Sequence, residues 1–160
     1  MRPFPRYPRC PVCGDPAVNP GALGVRWMYD EESAVVVGRF TPGHDHTGYA
    51  GRMHGGLVSA LLDEAMAWAC AVERHVYCVT GELKVRFKGA ATPGDELAVT
   101  ARVVGGGWGP YVKAEGELRS SAGELHATAS ATFAALPREE SLAMRAALVV
   151  APGDLDVLAP

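Results

Sequence analysis

The sequence predicts an α+β fold in which about five to six strands form a curved antiparallel sheet around one long central helix. Three observations predict it. From Leu57 to Val72 the only polar side chains are Ser59, Asp63, Glu64 and the Trp68 indole, so this helix is apolar nearly all round and belongs inside the protein. After it, Leu83, Val85 and Phe87 alternate with Glu82, Lys84, Arg86 and Lys88, the period-2 pattern of a half-buried strand. Further alternating runs follow, punctuated by the turn signals "TPGD", "GGGWGP" and "SSAG".

The elements follow in order. Residues 1–24 are rich in Pro and Gly and read as an irregular arm carrying a CxxC at Cys10 and Cys13. Residues 25–136 form the main domain. Within it, Val25–Thr41 gives two short strands with a turn near Asp30–Ser33. "PGHDHTGYAGRMHGG" is a glycine-punctuated loop leading into the helix, which runs to about Glu73. About four strands then follow as consecutive hairpins. Residues 137–160 form a tail with a short helix around Glu139–Leu148.

Composition narrows the class. The chain has 160 residues, 48% hydrophobic and 21% charged, as in an ordinary globular domain. A net charge of −3 without a Lys/Arg cluster argues against a nucleic-acid partner. Leu57–Val72 reads as too short and too acidic to span a membrane. The N-terminus lacks the apolar core of a secretory signal, which makes the cytoplasm the default location. The four cysteines, at 10, 13, 70 and 78, do not form a disulfide pattern.

On a helical wheel, Ser59 and Asp63 lie four residues apart with Gly56, Ala60, Ala67 and Cys70 beside them, so small side chains surround one carboxylate. Glu64 is rotated by about 100° from Asp63. One of the two is therefore the functional acid and the other a paired or solvated group. Gly55 and Gly56 stand where helix N–H groups lack intrahelical partners, a place suited to a developing oxyanion. Asp63 could then orient water or attack a carbonyl itself. The residues equally fit a plain loop-to-helix turn with a structurally satisfied carboxylate.

The blocks "GYAGRMHGGLVSALLDEAMAWA" and "TGELKVRFKGAATPGDELAVTARV" resemble the hotdog-fold thioesterases, in the branch that contains the phenylacetate-pathway (PaaI-like) acyl-CoA thioesterases. The resemblance extends from about Pro11 to Leu136, and "CPVCGDPAVNPGALGVRW" is similar to the leader of one subgroup. It implies hydrolysis of an acyl-CoA, and a homodimer with active sites at the subunit interface, often paired as a dimer of dimers. Gly55 matches the glycine whose N–H polarises the thioester carbonyl, and His54 the histidine that shapes that loop. Asp63 matches the catalytic carboxylate, and Thr80 a position that holds the water from the opposite subunit. Gly56, Ser59, Glu64, His46 and Tyr49 are candidate substrate contacts. Where some relatives carry Asn six residues before the histidine, this chain has Gly48, with His46 or Tyr49 as substitutes.

Neither metal nor organic cofactor is required for that chemistry. CxxC supplies only two of the four ligands of a closed zinc site. His44 and His46 would complete a set with Cys10 and Cys13; otherwise the cysteines are small reduced thiols. A redox role lacks the strand-to-helix context. The rival functions are an acyl-CoA sensor that binds without cleaving, a hotdog hydratase, and a purely structural protein.

Overall fold

The computed structural model describes residues 1–105 and 108–159. Its strands are β1 (Arg2–Pro3), β2 (Met28–Asp30), β3 (Val35–Phe40), β4 (Thr47–Tyr49), β5 (Arg52–Met53), β6 (Cys78–Phe87), β7 (Leu97–Val103), β8 (Tyr111–Ser120) and β9 (Leu125–Ala135); its helices are α1 (Gly55–Arg74) and α2 (Arg138–Ala146). Seven strands form one sheet in the order β1-β2-β3-β7-β8-β9-β6, every neighbouring pair antiparallel. α1 packs against β3 and β6 to β9. This is the long helix wrapped by a curved antiparallel sheet that defines the hotdog fold. The sheet is slightly larger than expected, because two residues of the arm add β1.

α1 holds the core together. Leu61, Leu62, Ala65 and Met66 are fully buried against the sheet, and each of the larger three stabilises the fold by about 1.5–3 kcal/mol. Gly116 on β8 lets the helix come close: a Cβ there would sit 3.3 Å from Leu62 Cδ2 and 3.2 Å from Thr100 O. Its 20 residues include an 18-residue window with a mean hydropathy of 1.3, enough to cross a membrane by length and composition alone, which corrects the reading of Leu57–Val72 as too short. Here they serve as the core helix. The face carrying Ser59, Asp63, Glu64 and Ala67 is only half-buried, whereas Cys70, expected beside Asp63, is buried.

Two connections differ from expectation. The loop before α1 contains a 3-10 turn at His44–His46 and the ribbon β4–β5. And β6 does not form a hairpin with β7. It lies at the sheet edge beside β9, while β7 pairs with β3. The connecting residues 88–96 are held near the start of α1 by Met53 N–H to Ala91 O (2.8 Å) and Gly94 N–H to Pro42 O (2.9 Å). β7, β8 and β9 do run as consecutive hairpins. Part of the "GGGWGP" turn, at 106–107, lies outside the described residues.

The arm is irregular but docked. Phe4 stacks on Trp68 of α1 with ring centroids 4.6 Å apart, and Val12 and Cys13 are buried. Arm and tail also join, as Arg6 and Val149 exchange backbone hydrogen bonds, and Arg26, just past the arm, pairs with the buried Asp154 of the tail.

Candidate active site

The start of α1 is built by His54. Its backbone is extended, and its Nδ1 accepts the Gly56 N–H at 2.9 Å, so the ring caps the helix. This corrects the expectation for Gly56, whose N–H is already committed. The Gly55 N–H finds no acceptor among the described residues, and it carries the positive end of the helix dipole. The ring of Phe87 lies over it, 3.3 Å from where a Gly55 Cβ would stand. A side chain there is accommodated only if the exposed Phe87 ring shifts by a few tenths of an ångström.

Gly48 has a steric reason. A Cβ there would sit 2.8 Å from His54 Cδ2, so the asparagine of some relatives would displace the capping ring. His46 and Tyr49, the expected substitutes, have other surroundings in the chain. The His46 ring accepts the Gly43 N–H (2.8 Å) and meets Phe40 edge-on; only its carbonyl serves the site, accepting the His54 N–H at 2.8 Å. Tyr49 is 83% exposed. Ser59 turns back on its own helix, donating to Gly55 O at 2.9 Å.

Asp63 and Thr80 do come together. Thr80 Oγ1 donates to Asp63 Oδ1 at 2.8 Å. Both belong to one chain, whereas the resemblance implies a threonine reaching from the opposite subunit. The cause is a β-bulge: the register of β6 on β9 slips between Thr80 and Glu82. Leu83 and Val85 face the helix. An unbroken alternation would continue through Gly81 to Val79. The bulge resets the phase, so Cys78 is half-buried, Val79 is exposed, and Thr80 is turned onto Asp63. Bulges beside active sites commonly re-aim a side chain in this way.

Glu64 faces the arm instead. Burial, followed by the charge of Cys10, pushes its carboxyl up to about 8. Cys10 Sγ donates to Glu64 Oε2 at 3.2 Å. The Cys10 thiol is lowered chiefly by the Cys13 thiol beside it, which is itself raised. Cys10, Cys13 and Glu64 offer ligand atoms all within 4.8 Å of one another. His44 and His46 do not join them, which corrects the expected four-residue set: His46 is held by Gly43 and Phe40, and the arm folds onto α1 rather than over that loop. Sequence reasoning missed this partnership because 54 residues separate Cys10 from Glu64.

Along α1 beyond Asp63 lies an apolar cavity of about 350 Å³, lined by Ala67, Ala71, Trp68, Tyr77 and Cys78 together with the Cys10–Cys13–Glu64 group. A larger polar groove of about 680 Å³ lies among Lys84, Arg86, Arg102, Glu115 and Glu117. Neither Asp63, Thr80 nor Gly55 lines that groove.

Comparisons with known proteins agree with this architecture. The thioesterase superfamily model matches residues 50–107, which carry His54, Gly55, Asp63 and Thr80. The PaaI protein of the phenylacetic acid degradation operon of E. coli is 22% identical, with a TM-score of 0.66 over 77% of this chain and 86% of that one. A conserved protein of Pseudomonas aeruginosa is 29% identical, with a TM-score of 0.63 over 71% and 90%. The protein smu.793 of Streptococcus mutans, solved bound to acetyl CoA, is 17% identical, with a TM-score of 0.61 over 68% and 85%. No curated protein sequence matches the chain. Residues 50–107 are thus similar to the thioesterase superfamily, and the chain shares the hotdog fold of these solved structures, PaaI among them.

Proposed function

We propose that the protein is an acyl-CoA thioesterase that hydrolyses an acyl thioester to a carboxylate and free CoA. The observation that carries this reading is the Thr80–Asp63 pair on the half-buried face of α1. Thr80 fixes one carboxylate oxygen and leaves the other to take a proton from water. That water attacks the thioester carbonyl, the oxyanion is held by the Gly55 N–H, and the C–S bond breaks as the thiolate takes up the proton. His54 acts through its cap, which holds the turn that presents Gly55.

Geometry also argues for two subunits. Gly55 and Asp63 are eight residues apart on one helix, about 12 Å along its axis. That is too far for both to touch one carbonyl. The reading therefore pairs Gly55 of one subunit with Asp63 and Thr80 of its partner, in a homodimer able to assemble further as a dimer of dimers. The outer edge of β6, last in the sheet order, is a ten-residue surface on which such a partner could pair. The S. mutans protein bound to acetyl CoA supports a CoA ester as ligand. Four free cysteines suit a cytoplasmic setting.

The test is free-thiol release from short, long and aromatic acyl-CoAs, with Asp63→Asn beside the wild type. The expected result is turnover by the wild type and a loss of at least about a hundredfold in the variant, with an unchanged circular dichroism spectrum. Binding of CoA esters without turnover by the wild type would replace hydrolysis with sensing. Near-full activity of the variant would remove Asp63 from the mechanism.

A further inference from the structure

The arm docks on α1 with three metal-ligating side chains brought to one point, and the thioesterase chemistry uses none of them. We infer that Cys10, Cys13 and Glu64 form a binding site for one Zn²⁺ that fastens the arm to the central helix. Their ligand atoms lie within 4.8 Å of one another. In a tetrahedral zinc site, with Zn–S near 2.3 Å, ligand atoms are about 3.8 Å apart. The three donors therefore need to close by about an ångström or less, which rotamer adjustment can supply.

The loop around Cys10 is organised for a sulfur ligand. The N–H groups of Val12 and Cys13 point at Cys10 Sγ, at 3.3 and 3.5 Å. Such donors stabilise a thiolate bound to metal, as outer-shell hydrogen bonds generally do. The loop closes with the Gly14 N–H on Cys10 O at 3.0 Å. A Cβ at Gly14 would stand 2.2 Å from that same oxygen, so no other residue allows this turn to close so tightly. Glu64 comes from the far side, on the rigid helix, and Cys10 and Cys13 lie opposite it.

The donor set selects the ion. Two thiolates favour Zn²⁺ over the hard cations Mg²⁺ and Ca²⁺, and Zn²⁺ also accepts a carboxylate oxygen as ligand. Binding displaces to solvent the protons that the three side chains carry. All three donors line the same 350 Å³ cavity, so the fourth tetrahedral position opens into it and water can fill it.

The experiment uses the full-length protein, purified with and without added zinc and dialysed against a weak chelator. The expected result is about one zinc per chain by mass spectrometry of the metal. Replacement by Co²⁺ should give an intense near-ultraviolet thiolate charge-transfer band. Cys10→Ser and Cys13→Ser should lose both signals. Glu64→Gln, which keeps the side-chain shape and needs no refolding of the arm, should keep the charge-transfer band but bind at least about tenfold more weakly. A strong chelator should lower the Tm of the wild type and leave that of Cys13→Ser unchanged. Wild type without metal after loading, full metal content in Cys13→Ser, or wild-type affinity in Glu64→Gln would each overturn the site. So would a Cys10–Cys13 disulfide found by mass in place of zinc.

Discussion

The hydrogen bond from Thr80 to Asp63 leaves one carboxylate oxygen free, and under the proposed mechanism that makes Thr80 a positioning residue with a measurable share in the reaction. Thr80→Val keeps the side-chain shape at an exposed position of β6 and removes only the donor. A hydrogen bond to a charged acceptor contributes about 1.5–3 kcal/mol, so kcat should fall by roughly 10- to 100-fold with KM little changed. Thr80→Ser should restore most of the rate, because the hydroxyl returns. A merely structural threonine would instead lower Tm and leave kcat intact. Glu64 is the contrasting case. It sits next to Asp63 in sequence, yet its environment is the Cys10–Cys13 loop, and its carboxyl is raised chiefly by burial. The wheel separated the two acids correctly; it could not say which neighbour each would meet.

At the scale of elements, local pattern and long-range contact divide what the sequence reveals. The apolar helix, the alternation of Leu83 and Val85, and the helix in the tail were legible, because each is a periodicity within one segment. The bulge in β6 was not, since its signal is a single Gly81 whose place depends on the register with β9. Nor was the separation of β6 from β7, which the hydrogen bonds of residues 88–96 to other loops decide. The arm looked irregular because its contacts, Phe4 on Trp68 and Cys10 on Glu64, join residues far apart in the chain. Gly38 on β3 shows the same limit: a Cβ there would lie 2.2 Å from Trp27 Cζ3, and Trp27 is fully buried. Gly38→Ala should therefore destabilise the protein by about 3 kcal/mol and lower Tm by roughly 10 °C. A thermal midpoint within a degree of the wild type would mean that the indole does not lie across the strand.

At the scale of the whole molecule, the spacing on α1 becomes a question of symmetry. In an isologous dimer each site would draw Gly55 from one subunit and Asp63 from the other, and the two sites would be equivalent. Gly55→Pro is a clean way to remove the oxyanion donor, because proline is favoured at the first helical position and lacks the N–H. Asp63→Asn removes the other half. Each variant alone should be inactive as a homodimer. In a heterodimer of the two, one site carries both defects, but the other combines the intact Gly55 of one chain with the intact Asp63 of its partner. Coexpressed in equal amounts, half of the random dimers would be mixed with one good site each, giving about a quarter of wild-type activity. If both groups served a reaction within a single chain, every site would carry one defect and mixing would restore nothing. Native mass spectrometry of the same samples counts the chains and resolves mixed from unmixed dimers, so a failure to mix is distinguished from a failure to complement.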